Sequence, residues 1–255
     1  MALLSVVIIT YNEEKNIRRC LESIRGLADE IVVVDSLSTD NTRTICHEYG
    51  VRFIDQPFLG YIEQKNFALD QAANDYVLSL DADESADKKL FASIKDAKEK
   101  GFTADSYRMN RCNNYCGQWI KHGMWYPDRK IRLVNRHKAR WGGINPHDKL
   151  AVQSGSSVAY LKGDILHYTY ATIDEHLEQM NRFTTIQAKT MYEQGKKSSW
   201  FKLLVNPAVA FIADYLIKRG FLDGKNGLIL AKARAFATFI KYSKLLHLQE
   251  RENPK

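Results

Sequence analysis

The sequence is short of cysteine, of long charge-free runs, and of glycine after its first apolar segment. Four cysteines among 255 residues, Cys20, Cys46, Cys112 and Cys116, form no secreted framework. Cys112 and Cys116 are spaced C-x3-C with no second pair to complete a zinc site, so all four read as packing thiols. The apolar start, Met1–Thr10, lacks a basic leader region and a small-residue cleavage site, and runs directly into Tyr11-Asn-Glu-Glu14. It reads as a buried strand of a cytosolic chain and not as a signal peptide. In the C-terminal region the longest uncharged run is Leu203–Ala213, eleven residues, short of the ~20 that a membrane span needs. No internal repeat or low-complexity segment is present. With 45% hydrophobic and 26% charged residues, disordered, collagenous and disulfide-stapled chains are excluded, and the length suits one large domain or a domain with an appendage.

What is present is an uneven charge. Residues 1–100 carry 12 Lys/Arg and 18 Asp/Glu, a net of −6, and residues 101–255 carry 25 and 12, a net of +13. The last sixty residues hold 12 basic and 4 acidic groups, +8 of that excess. The basic groups are not interleaved with a nucleic-acid motif, and no nucleic-acid partner is expected.

Apolar β-branched runs alternate with helical spacing through the first hundred residues. Strands are expected at Leu3–Thr10, Glu30–Asp35, Val51–Asp55 and Tyr76–Leu80, and helices at Glu14–Arg25, Ser38–Tyr49 and Tyr61–Ala73, with Asp40 or Asn41 capping the second. This is the pattern of a parallel α/β sheet covered on both faces. Beyond residue 100 short strands are expected at Ser106–Met109, Ile131–Val134 and Val158–Leu161, and the chain turns helical from Asp174. Asn206-Pro207 reads as an N-cap and first helical position, and Lys218-Arg219-Gly220 as a basic last turn with a terminal glycine.

Ligands on such sheets bind beyond the carboxyl ends of the strands. Asp35, Asp81 and Asp83 fall there. Asp81 and Asp83, two apart, project to one side of an extended segment and suit a hard divalent cation completed by phosphate oxygens. An EF-hand counted from Asp81 would need Gly and Glu where Ala86 and Ala92 stand, and the first strand is followed by no glycine-rich phosphate loop. What remains is a nucleotide held without such a loop, its diphosphate neutralised by metal.

Ser5–Glu14, Val34–Asn41, Gln64-Lys-Asn66 and Leu80–Glu84 resemble the four signature stretches of family 2 glycosyltransferases, which are inverting enzymes of GT-A fold, over roughly residues 4–150. The resemblance implies that Thr10, Tyr11, Glu13 and Asp35 hold the nucleotide with Lys65 nearby. It further implies that Asp81 contacts the ribose or metal region and that Asp83 ligates Mg²⁺ or Mn²⁺. More narrowly, His122–Asp128, Arg132-Leu133, Asn145–Asp148 and Arg219–Gly224 resemble the lipopolysaccharide core β-1,4-glucosyltransferase subfamily, which acts on an inner-core heptose. There the third motif usually reads Val-His-Glu; here it is Pro146-His147-Asp148, with a shorter acid.

The resemblance thus implies transfer of a sugar, glucose, from a UDP-sugar to an inner-core or other lipid-linked glycan. Capsule, exopolysaccharide or protein glycosylation with another donor, and sugar nucleotidyl transfer, stay open. Inversion needs one general base. Asp148 matches the family's acid, with Glu84 the alternative base; Asp148 can also be a turn residue paired with Lys149. His147 is expected beside the base. His167 either completes the metal shell or is a packed or acceptor-site histidine. Trp125, Tyr126 and Asp128 suit a sugar acceptor, although both aromatics can equally be core.

The organisation expected is a catalytic domain over 1–173, with a nucleotide-sugar half at 1–100 and an acceptor half at 101–173, followed by a helical region at 174–255. On a helical wheel of residues 228–246, Leu228, Ile229, Phe236, Phe239, Ile240, Tyr242 and Leu246 fall on one side, and Arg234, Lys241 and Lys244 on the other, with Lys232 an exception. That helix is expected either to lie peripherally on the cytoplasmic face of the inner membrane or to pack on the domain or in a homodimer.

Overall fold

The computed structural model describes residues 2–144 and 147–252, save the side chains of Ile144, His147 and Glu252. The chain divides into two units, Met1–Arg111 with Asp128–His167, and Cys112–Pro127 with Tyr168–Lys255.

The first unit begins as the alternation expects. Strands β1 (Leu4–Thr10), β2 (Glu30–Asp35), β3 (Arg52–Asp55) and β4 (Tyr76–Asp81) alternate with helices α1 (Ile17–Ser23), α2 (Thr42–Glu48) and α3 (Tyr61–Gln71). A short β5 (Glu84–Ala86) leads to α4 (Lys88–Glu99), capped by the Asp87 carboxylate accepting from the Leu90 N–H at 2.6 Å. Then come β6 (Ser106–Tyr115), β7 (Gln118–Trp119), β8 (Asp128–Asn135), the hairpin β9 (Ala139–Ile144) and β10 (His147–Val152), and β11 (Val158–Tyr170). The sheet runs β3-β2-β1-β4-β8-β6-β11-β5 with β7 on β6, and β9–β10 form a separate two-stranded sheet. β1 pairs in parallel with β2 and β4, and β8 adds antiparallel to β4.

Period-2 alternation divides the core. Val6 and Ile8 of β1 face Ile17, Leu21, Cys46, Leu90 and Ile94 from α1, α2 and α4. Val7 faces Ala68 and Leu69 of α3, together with Trp141 of β9 and Leu150 of β10. The hairpin is therefore seated on α3 by its own apolar face.

β11 is much longer than expected. Gly163 interrupts its apolar pattern because a Cβ there would stand 2.2 Å from the Leu90 backbone N. At a φ of +109° the strand passes this close to the start of α4, which only glycine permits.

In the second unit, Thr172 and Glu175 form a capping box at the start of α5 (Ile173–Glu193). α6 (Trp200–Ile212) is capped by Ser199, not Asn206; Pro207 lies inside it. The expected start at Asn206 fails because the Ser199 hydroxyl already accepts from the Lys202 N–H, one full turn and more upstream. The helix continues as a π turn over Ala213–Ile217, and the left-handed residue that ends it is Arg219, φ 57°, one before the expected Gly220. Gly220 is needed for closeness instead: its Cβ would lie 2.9 Å from the Asp214 carbonyl oxygen.

α7 (Gly224–Glu252) corrects the wheel. Its buried residues include Leu230, Ala231 and Leu245, whereas Phe236 and Phe239 are exposed. Lys244, placed on the solvent side by the wheel, donates to the Asn181 carbonyl and Oδ1 and to the Thr184 and Thr185 hydroxyls, at 2.7–3.0 Å. Burial lowers the pKa of Lys241 and of Lys244. Lys244 thus lies against α5, on a packed side of α7, together with the buried Leu245.

Candidate active site

Thr10, Asp35 and Asp81 end β1, β2 and β4, and register places Thr10 opposite Asp35 and Ile9 opposite Asp81. Three chemistry-bearing residues thus share the carboxyl edge of the parallel strands. Asp35 is buried, and its carboxylate accepts from the Ser38 N–H at 2.7 Å and from the Ser38 hydroxyl. The Ser38 hydroxyl in turn accepts from the Asn12 N–H at 2.8 Å, so Asp35 shapes the loop that follows β1. The Thr10 hydroxyl is buried with no hydrogen-bond partner among the described residues. Tyr11 is exposed. Glu13 accepts from Asn16 at 2.7 Å; burial raises its pKa, opposed by that bond and reinforced by Asp83.

Deeper in, α3 supplies Lys65, only 4% exposed. Its ammonium donates to Asp148 at 2.8 Å and to Asp81 at 3.2 Å. Asp148 reaches it because residues 148, 150 and 152 share one face of β10, and Leu150 on that face is buried against α3. It pairs with Lys65, not with the adjacent Lys149. Arg132, buried in β8, donates to Glu84 at 2.9 Å and to Asp81 at 3.3 Å, while its Nη1 has no partner among the described residues. The Trp141 ring underlies both cations, with its centroid 4.6 Å from Lys65 Nζ and 5.2 Å from Arg132 Cζ. Burial alone would raise the Asp81 carboxyl pKa; Lys65 and Arg132 overcome it and hold the group well below the ordinary carboxylate range.

Asp83 and His167 meet in the same unit, Oδ2 to Nε2 at 3.1 Å, and β11 pairs His167 opposite Glu84. Among the described residues no three His, Cys, Asp or Glu side chains gather as a metal cage. The pair instead offers one carboxylate and one imidazole, an incomplete donor set that a diphosphate and water would finish. That fits Mg²⁺ or Mn²⁺ bound jointly with phosphate. The charge balance points the same way: Lys65 and Arg132 are shared among Asp81, Glu84 and Asp148, so an added diphosphate beside Asp83 needs a cation.

Glu84 spends its oxygens on Arg132 and the Asp81 N–H, and its side chain is fully buried. It is unsuited to accept a proton from an incoming hydroxyl. Asp128 is engaged by Arg111 at 2.9 Å and Lys130 at 3.1 Å. The His147 side chain lies outside the described residues. Trp125 and Tyr126 belong to the second unit. There Trp125 packs edge-on to Tyr115 and His176, centroids at 5.7 and 5.8 Å, and Tyr126 precedes a cis proline.

Two stretches of the narrower sequence resemblance are joined in the second unit. Asp223 accepts from the Lys121 and His122 N–H groups and from the His122 ring at 2.9 Å. Asp214, buried, accepts from the Met124 N–H at 2.8 Å, and a Cβ on Gly123 would meet that carboxylate at 2.6 Å. The two motifs form a structural joint.

Two residues with clear roles here carried none in the sequence reading, Arg132 and Trp141. The signal for Arg132 was available: a single cation inside the apolar strand Ile131-Arg-Leu-Val134 has to be paired. Trp141 carried no such signal, since its contacts depend on how the hairpin docks.

The mixed sheet flanked by helices, with acids at the parallel strand ends, is a GT-A fold. A mannosyltransferase from Pyrobaculum calidifontis, solved with GDP-mannose and Mn²⁺, superposes with a TM-score of 0.52 at 16% identity, over 99% of this chain and 88% of its own. The glycosyl transferase family 2 profile matches residues 5–162, and the chain belongs to that family. It is 34% identical to an uncharacterized glycosyltransferase of Rickettsia typhi, over 97% of this chain and 88% of the relative. It is 30% identical to the lipopolysaccharide core biosynthesis glycosyltransferase LpsC of Rhizobium meliloti, over 95% and 91%.

Proposed function

We propose that this glycosyltransferase is a metal-dependent inverting enzyme that moves a hexose, glucose, from a UDP-sugar onto an inner-core or other lipid-linked glycan at the cytoplasmic face of the inner membrane. The observation that carries the reading is the Lys65 bridge. One buried ammonium ties the strand-end Asp81 to Asp148, a residue 83 positions beyond Lys65 itself. A carboxylate so held is fixed in orientation, as a general base has to be.

In this reading Thr10, Tyr11, Glu13 and Asp35 receive the nucleoside, and the unpaired Thr10 hydroxyl gains a partner from the base. Asp81 accepts from the ribose. Asp83 and His167 would hold Mg²⁺ or Mn²⁺, which when bound neutralises the departing diphosphate. Asp148 takes the proton of the acceptor hydroxyl as its oxygen bonds to the anomeric carbon and the bond to the diphosphate breaks. Lys65 positions Asp148, and Arg132 with its free Nη1 offsets charge at the strand ends. Trp125, Tyr126, Asp128 and His147 are the acceptor-side residues of the proposal. The 30% identity to LpsC supports a lipopolysaccharide core acceptor over other glycans.

The test is release of UDP by the purified chain from UDP-glucose and other nucleotide sugars, with Mn²⁺ or with chelator. Metal-dependent release from a UDP-sugar is expected; release of pyrophosphate from a nucleoside triphosphate and a sugar phosphate would instead identify a nucleotidyltransferase.

A further inference from the structure

The basic excess of the C-terminal region has a physical counterpart on α6. Trp200, Phe201 and Leu204 are 73%, 72% and 71% exposed, and Val209, Ile212 and Leu216 are exposed as well. At about 100° per residue, positions 200, 201, 204, 209 and 212 occupy one half of the helix, and Leu216 extends the same row by one turn. Leu203, on the other half, is buried. The stretch Trp200–Ile217 is 18 residues, long and apolar enough by composition to cross a bilayer, and only 17% of it is buried. At ~1.5 Å per residue it is ~27 Å of apolar ridge.

Its surroundings say what covers it. Lys196, Lys197 and Lys202 stand exposed at one end and Lys218 and Arg219 at the other. The two acids in this part of the chain, Asp214 and Asp223, are buried; both accept from backbone N–H groups of residues 121–124, and Asp214 also lies 3.8 Å from the Arg234 guanidinium. An apolar ridge with cations at both ends and no exposed acid between them complements an anionic lipid surface. A second copy packed two-fold on this ridge would set basic ends against basic ends. Spanning is opposed by Asp214, whose carboxylate within the stretch is held by Met124.

We infer that α6 is a monotopic membrane-docking helix, lying in the interface of an anionic bilayer with Trp200, Phe201, Leu204 and Ile212 inserted and its terminal lysines on the headgroups. This rests on the proposed reaction only for its purpose, since a lipid-borne acceptor is met at such a surface.

The test is co-sedimentation of the full chain with vesicles of phosphatidylethanolamine and phosphatidylglycerol in equal parts, and with vesicles of phosphatidylcholine alone. The chain is expected to partition to the anionic vesicles, weakly to the neutral ones, and less as salt rises. The triple variant Phe201→Ser, Leu204→Ser, Ile212→Ser should lower partition by about tenfold or more, and Lys197→Glu with Lys202→Glu should lower it on anionic vesicles alone. All three substituted apolar groups are solvent-facing, so circular dichroism and UDP titration should be unchanged in both variants. Absence of the parent from the anionic pellet, or equal partition of parent and triple variant, overturns the inference. So does a parent dimer that the triple variant disperses, which would mean a second copy covers the ridge. Donor titration of the same samples succeeds or fails on its own, which keeps a failed membrane reading distinct from a failed reaction.

Discussion

Asp81 and Asp214 are both buried carboxylates, and the two units treat them differently. Asp81 is neutralised by side-chain cations, Lys65 and Arg132, which also serve Glu84 and Asp148. Asp223 is held by the Lys121 and His122 N–H groups, and Asp214 by the Met124 N–H with the Arg234 guanidinium 3.8 Å from its other oxygen. Cations on side chains can exchange partners when an anionic ligand arrives. Backbone donors cannot leave without unfolding the segment that carries them. The first arrangement suits a binding site and the second a structural joint, and substitutions should separate the two.

Asp83→Ala should have the largest effect on binding, removing metal-dependent donor affinity by about a hundredfold in calorimetric titration with UDP and Mn²⁺. An unchanged metal titration would refute its role as a ligand. Lys65→Met should cost about 3–5 kcal/mol of stability, because two carboxylates lose their shared buried cation, and denaturant midpoints would measure it. The loss should shrink in Lys65→Met with Asp148→Asn if the pair is the cause. Trp141→Ala, which empties the space under both cations, should also cost about 3–5 kcal/mol, and should depress turnover in the same samples by loosening Lys65. On the other side of the comparison, Asp223→Ala should cost about 1–3 kcal/mol by leaving partly buried N–H groups unpaired, yet leave UDP affinity intact in titration. Smallest is Lys244→Met, expected within about 1 kcal/mol of the parent by thermal unfolding, since the lost bonds to α5 are offset by relieving a half-buried charge.

How much of this could be read from the residues differs along the chain. β1 to β4 and α1 to α3 were legible because each strand is a continuous apolar run closed by a polar residue, and that same closure exposed Asp35, Asp81 and Asp83. The pairing of Lys65 with Asp148 was not legible. It follows from Trp141 and Leu150 packing on α3, a contact between segments far apart in sequence. Only the first four residues of β11 carry a strand pattern, because Lys162, Gly163 and Asp164 break it; the glycine answers to Leu90 of α4, not to the strand. Pro207 misled because it sits inside a helix already started by Ser199. On α7, a helical wheel sets Lys244 opposite the apolar side and cannot show the four acceptors it finds on α5.

The central claim, that Asp148 is the base of a transfer whose donor is held elsewhere, is tested most directly by measuring both properties on Asp148→Asn. UDP-sugar affinity with Mn²⁺ should stay near that of the parent while transfer falls by about a thousandfold. Loss of donor affinity in step with transfer, or transfer at the parental rate, would contradict it.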